Sequence, residues 1–253
     1  MIFDTEIAII VSAIPERQRL LQRSLETWRR SAMASDQNVS IYINLEGHDD
    51  EWDLSLLHGA SLFINRQIER SGSHIAGYNI GIQAVKANTY IFTHPEMLFP
   101  QSAIQAAIQT VGENMSAHFK CFWMPQELTE NLSNYYWLNP EKMELDDKLY
   151  SLDKQEKGPT YSNMNVRNLT TWESTTTVAV NHQTLWRFAP FVDFGQWGPD
   201  DPYLMLVRRR LGIRTVTIQD PILFHQYHEL QTPTQEMARE ALFAADGRFP
   251  QIV

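Results

Sequence analysis

The chain has 253 residues, of which 43% are hydrophobic and 20% charged, enough to bury one large core, and its formal net charge is −9. That acidic balance excludes a phosphate-tracking basic surface, so nucleic acid is not expected as a partner. The one cysteine, Cys121, excludes an internal disulfide framework and a cysteine-built zinc site, and points to a reducing compartment.

Ile7 to Val11 is a short, continuous, β-branched-rich run, the pattern of a strand buried on both faces. It is far too short for a signal peptide or a membrane span and has no basic segment before it. A cytoplasmic protein without a transmembrane segment is therefore expected, with the sequons at Asn38, Asn131 and Asn168 unused. Pro15 opens a helix whose apolar positions are Leu20, Leu21, Leu25 and Trp28. Val39 to Leu45 and Ala60 to Asn65 read as strands, Ile75 to Ala87 as a helix and Thr89 to Thr93 as a strand. Ser102 to Val111 reads as a helix and Phe119 to Met124 as a further strand. This alternation predicts a mostly parallel α/β sheet.

Between about residues 125 and 172 the pattern fails, leaving Tyr135, Tyr136, Trp137, Tyr150, Tyr161 and Trp172 among polar residues. Loops of that length in compact domains are usually functional or disordered. Order resumes with a strand over Thr175 to Val180, a loop from Phe191 to Asp201, a helix from Pro202 to Leu211 and a strand from Thr215 to Ile218. A polar tail follows from about 229 to 253, partly helical around Gln235 to Phe243. One α/β domain spanning 1–253, with a long insertion, is the expected organisation.

Ligands of parallel sheets bind outside the carboxyl ends of the strands, so residues there are the first candidates. His94-Pro95-Glu96 ends a strand and either shares a divalent cation or forms a turn with Glu96 solvated. Trp197-Gly198-Pro199-Asp200-Asp201 is a tight turn before a helix; either aspartate serves as its N-cap or as a general base beside an apolar wall. His225 and His228 follow the apolar run Ile222 to Phe224 at a spacing common among metal ligands, and an imidazole there also suits a backbone carbonyl. Ala76-Gly77-Tyr78-Asn79-Ile80-Gly81 places small residues at a helix start, for packing or for a phosphate, and matches neither a Walker loop nor a dinucleotide fingerprint.

Taken in order, these segments resemble glycosyltransferase family 2 and its GT-A relatives over roughly residues 5 to 228. Ile10 through Arg17 is similar to the family's first strand and following helix start, and Ala76 to Gly81 to its "ARNIG" segment. His94-Pro95-Glu96 lies where the family has D-x-D. Phe191-Val192-Asp193 and Trp197 to Asp201, with Leu204, Arg208 and Gly212, resemble its acceptor segment. The departures are an imidazole and a longer carboxylate in place of D-x-D, and Asp200 in place of a glutamate. The segment Asn44 to Asp50 stands where the family has an acidic turn.

The resemblance implies a Rossmann-like GT-A fold and a nucleotide-sugar-dependent glycosyltransferase acting on a glycan or other hydroxyl acceptor. It implies a donor nucleotide held by Ser12, Arg17, Glu46, Asn79 and Gly81, and Mn²⁺ or Mg²⁺ held by Glu96 with His94, His225 and His228. Asp200 would be the base, Asp201 would position the acceptor or the base, and Trp197, Gly198 and Trp172 would contact the acceptor, with inversion at the anomeric carbon. Two rivals are an inactive GT-A module that binds nucleotide or glycan, and a sugar-phosphate nucleotidyltransferase. The latter is disfavoured because Ser12 to Arg17 contains no glycine.

Overall fold

The computed structural model describes residues 3–57, 62–67, 74–124, 126–131, 137–140, 177–191, 204 and 207–228. Strands β1 (Phe3–Ala13), β2 (Val39–Glu46), β3 (Leu62–Gln67), β4 (Val85–Thr93), β5 (Met97–Leu98), β6 (Met115–Trp123), β7 (Thr177–Asn181) and β8 (Arg214–His225) form one sheet of order β3-β2-β1-β4-β7-β6-β8-β5. Helices α1 (Gln18–Ser35), α2 (His74–Ala84), α3 (Ala103–Thr110), α4 (Gln126–Asn131) and α5 (His182–Leu185) flank it. The β3, β2, β1 and β4 block is parallel, as is the β6/β8 pair, whereas β7 runs antiparallel between β4 and β6 and β5 antiparallel to β8. A mixed, mostly parallel α/β sheet is thus present, as the alternation of strands and helices predicts. No helix among the described residues is long and apolar enough to cross a membrane.

Period-two alternation gives the sheet two apolar faces. Ile7, Ile9 and Val11 pack with Leu21, Leu25 and Trp28 of α1, while Ala8 and Ile10 pack with Ile75, Tyr78 and Ile82 of α2. Burying each isoleucine, leucine or valine among them contributes about 1.5–3 kcal/mol.

Several boundaries differ from the sequence reading. Helix α2 stops at Ala84 and β4 begins at Val85, so the expected helical turn through Ala87 is strand. Val85 and Ala87 alternate buried with exposed Lys86 and Asn88, and a helical period cannot satisfy that alternation. The final strand does not end at Ile218: β8 runs on to His225, slipping register with β6 between Phe119 and Cys121.

The connection from β4 to β5 also requires the sheet to curl. Four strand spacings separate β4 from β5 in the sheet order, about 19 Å if flat. Thr93 and Met97 are four residues apart, and a chain that long reaches only about 14 Å. The curl brings the His94–Glu96 corner against the end of β8.

Candidate functional site

Two polar clusters sit at the carboxyl ends of the strands. The first spans β1, β2 and β3, where register pairs Ser12 with Asn44 and Asn44 with Asn65. Asn65 Nδ2 donates to Asn44 Oδ1 at 2.7 Å, Asn44 Nδ2 to Ser12 Oγ at 3.1 Å, and Ser12 Oγ to Glu46 Oε1 at 2.9 Å. Ser12, Asn44 and Glu46 are buried. The chain of donors and acceptors is what lets these polar groups leave water. Gly47 turns the chain out of β2 with φ +104°, a left-handed conformation that favours glycine. Trp52 Nε1 then donates to the Glu46 carbonyl at 3.1 Å and holds that turn.

Gly77 of α2 covers this cluster closely. A Cβ there would lie 2.5 Å from Ser12 Oγ and 2.9 Å from Asn44 Cβ, so only glycine allows the helix start to approach the strand ends.

The second cluster follows β4 and β8. Glu96 Oε1 lies 3.0 Å from His228 Nε2, 3.3 Å from His225 Nε2 and 3.7 Å from His94 Nδ1. All four side chains are buried. The donor atoms of Glu96, His225 and His228 lie within 4.8 Å of one another and form a possible cation site. Burial alone would raise the Glu96 carboxyl, but the imidazoles of His225, His228 and His94 beside it outweigh that and hold the group well below the ordinary glutamate value. Burial lowers His225 to about 4 against the opposing pull of Glu96. At neutral pH the cluster therefore contains a carboxylate beside a neutral imidazole, the protonation states that cation binding requires.

Helix α1 explains why this corner is held in place. Its apolar face is interrupted by buried Ser24, Thr27 and Ser31, which bond Gln226, the turn after β5 and the start of α3 in that order. Trp28 Nε1 donates to the Met97 carbonyl at 2.8 Å, Thr27 Oγ1 accepts from the Phe99 N–H at 2.9 Å, and Ser31 Oγ accepts from the Ile104 N–H at 3.1 Å. Buried Gln226 ties the two halves together: its N–H donates to the Glu96 carbonyl at 3.0 Å and its Nε2 to Ser24 Oγ at 3.1 Å. Thr129 Oγ1 of α4 accepts from the Tyr227 N–H at 2.8 Å, fixing the segment that carries His228.

The remaining candidates divide. Arg17 lies half-buried in the 3₁₀ turn Pro15–Arg17 after β1. Asn79 has its amide engaged with Phe191, donating to its carbonyl at 2.8 Å and accepting from its N–H at 2.8 Å. Gly81 packs against the middle of the sheet, where a Cβ would lie 2.6 Å from Ile10 Cγ2. Gly81 thus sits beside Ile10 within β1, while Gly77, one turn earlier on α2, lies against Ser12 and Asn44. Trp172, Trp197, Gly198, Asp200 and Asp201 lie outside the described residues. Beyond the end of that segment, Arg208 is buried and its Nη1 lies 2.8 Å from His118 Nε2, beside a cavity of about 20 Å³ lined also by His74, Tyr78 and Phe191.

Asn65 and Gln226 escape the sequence reading. Asn44 and Gly77 fall in segments the sequence singles out, without a sign of which residue mattered. An amide closing an apolar strand run, as Asn44 does after Ile41 to Ile43, is a usable signal. Gln226 stands between the candidate imidazoles His225 and His228, and its own role rests on distant contacts with Leu20, Ser24 and Glu96.

No family model matches the sequence, and no curated protein matches it. Among solved structures the chain is similar to the crystal structure of S. aureus TarS 1-349, with a TM-score of 0.59 and 12% identity over 95% of this chain and 64% of that one. The S. aureus TarS 1-349 complex with UDP-GlcNAc gives a TM-score of 0.59 and 13% identity over 95% of this chain and 65% of that one. The complex with UDP gives 0.57 and 13%, over 95% and 64%. The chain thus spans a little under two thirds of those structures. At this identity the likeness is one of fold, and the expected GT-A type of mixed α/β sheet is the one found.

Proposed function

We propose that the chain is a nucleotide-sugar-dependent glycosyltransferase similar to family 2, with its donor lying across the carboxyl ends of β1, β2 and β4. The observation that carries this reading is the pairing of two buried polar clusters along one sheet edge, in a fold whose solved neighbours hold UDP-GlcNAc and UDP. The Ser12, Asn44, Asn65 and Glu46 chain offers both donors and acceptors and suits the edge of a nucleobase. The Glu96 cluster lies after the neighbouring strand, where the diphosphate of the same ligand would fall.

A divalent cation, Mn²⁺ or Mg²⁺ in the family pattern, would be held by Glu96, His225 and His228 with His94 beside them. When bound it would neutralise charge on the departing diphosphate. The acceptor oxygen attacks the anomeric carbon, a carbon–oxygen bond forms, and the bond to the diphosphate oxygen breaks with its electron pair leaving on phosphate. Asp200 takes the acceptor proton, Asp201 positions it, and the configuration inverts. Trp197, Gly198 and Trp172 would line the acceptor side, with stacking on a sugar face as the role of the aromatic rings.

Thermal-shift titration with a panel of nucleotide sugars, followed by a donor-turnover assay on whichever one binds, tests the reading. A ligand specific for the folded state raises the melting temperature. No shift with any nucleotide sugar, with or without a divalent ion, would end the transferase reading. Imidazole in place of one D-x-D carboxylate favours a second reading, a binding module without turnover; it predicts a shift with nucleotide but no donor consumption.

A further inference from the structure

We propose that Glu96, His225 and His228, with His94 beside them, form a resident site for a zinc-class divalent cation, a late first-row ion such as Zn²⁺ or Co²⁺, that loads without nucleotide. The inference concerns the cation site of the transferase reading and rests on that reading for what the ion does, while the loading itself follows from the donor atoms alone.

The donor set decides the class of ion. Imidazole suits zinc and its late first-row neighbours, whereas Mg²⁺ prefers carboxylates, phosphates and retained water. Here two imidazoles and one carboxylate converge, with a third imidazole 3.7 Å from the same carboxylate oxygen. Three protein ligands with one position left open is the arrangement of a zinc site that also receives a substrate oxygen or water. A site built for Mg²⁺ would show the opposite balance, with several hard oxygens to each imidazole.

The spacing agrees. Two metal–ligand arms of about 2.1 Å at the tetrahedral angle end about 3.4 Å apart. Glu96 Oε1 lies 3.3 Å from His225 Nε2 and 3.0 Å from His228 Nε2, so no side chain must travel far to receive an ion. Nε2 of His225 and Nε2 of His228 each present a lone pair when the ring proton sits on Nδ1.

Burial and support argue for loading without nucleotide. Glu96, His225 and His228 are 3%, 1% and 8% exposed, so the ligands are held by the protein and not assembled by an incoming diphosphate. His225 is fixed at the end of β8 between Trp123 and Met97, and Gln226 holds the Glu96 carbonyl. Such outer supports commonly change metal affinity 10- to 100-fold.

The test uses the whole chain, stripped with chelator and titrated with CoCl₂, ZnCl₂, MnCl₂ and MgCl₂ in the absence of nucleotide. The expected result is one Co²⁺ per chain with visible ligand-field absorption, displacement by an equivalent of Zn²⁺, and no competition from millimolar Mg²⁺. His225→Asn and His228→Gln should each weaken Co²⁺ binding by at least about ten-fold, since losing a direct ligand costs no less than losing its support. Binding only when UDP is present, Mg²⁺ or Mn²⁺ binding as tightly as Co²⁺, or Co²⁺ affinity unchanged in both variants would each overturn the proposal. The wild-type titrations decide the matter even if a variant fails to fold. A parallel UDP-GlcNAc thermal shift in chelator separates the two readings: nucleotide binding with no ion loading ends this proposal alone. Ion loading with no binding of any nucleotide sugar ends the transferase reading alone.

Discussion

Replacing Gly77 by alanine probes the contact between α2 and the cluster of Ser12, Asn44 and Glu46, where the proposed function puts the nucleobase. The added Cβ would stand 2.5 Å from Ser12 Oγ, 2.7 Å from Ser12 Cβ and 2.9 Å from Asn44 Cβ. Real Cβ atoms do not approach so closely, and two of the three obstacles are Cβ atoms one bond from the backbone of buried strands, so neither can swing aside. Overpacking of this kind costs about 1–3 kcal/mol, and these fixed neighbours place it in the upper half of that range. The helix itself gains about 1 kcal/mol from alanine over glycine. The net is a destabilisation of about 1–2 kcal/mol, or a melting temperature lower by about 2–8 °C for a chain of this size. Moving Ser12 also loosens its 2.9 Å bond to Glu46, so UDP affinity should fall about ten-fold, equivalent to about one hydrogen bond. Scanning calorimetry and UDP titration measure both effects. Gly112→Ala is the control: its nearest obstacle is Met115 Cε at 3.6 Å, and no loss is expected. A Gly77→Ala protein with unchanged or raised melting temperature and wild-type UDP affinity would refute both the close approach and the placement of the base.

Asp200→Asn should keep the circular-dichroism spectrum and nucleotide binding but lower turnover by on the order of 10²-fold, as for loss of a general base; unchanged turnover would move the role to Asp201. Glu96→Gln should abolish the ion-dependent part of diphosphate affinity, seen as identical titrations with Co²⁺ and with chelator, and a retained difference would place the cation elsewhere. His225 is lowered from 6.5 to about 4 and Glu96 is lowered too, so the unfolded chain binds protons that the folded chain refuses. Stability of the chelator-treated protein should therefore be full above about pH 6.5 and fall as pH drops toward about 4, with on the order of 3 kcal/mol from His225. Urea midpoints against pH should show a shallower fall in His225→Asn, and equal slopes would contradict the assigned burial effect. Trp28→Phe keeps the ring but removes the indole donor to the Met97 carbonyl, and should cost about 1–2 kcal/mol in urea unfolding, the range for losing one buried partner.

Much of the frame was legible in the linear pattern because strands and helices announce themselves by local period. Ile7 to Val11 alternates its side chains between two apolar faces, and residues just beyond such a strand must lie on the ligand-binding edge whatever the rest of the chain does. His94 and Glu96 were therefore candidates from the strand pattern, Ser12 entered only through the family resemblance, and the order of segments suggested the fold. Other features depend on partners far away in the chain. Whether residues 85–87 continue α2 or start β4 was decided by β1, whose Phe3 and Thr5 pair with Val85 and Ala87. The Asn79 side chain is engaged by Phe191, 112 residues away, which bonds both ends of its amide, a contact no local pattern announces. The meeting of Glu96 with His225 and His228 likewise has no local signature. It arises because four residues cannot bridge a flat four-strand gap, so the sheet curls and β5 docks on β8. Local period fixes which way a side chain points, and only long-range strand pairing fixes what it meets.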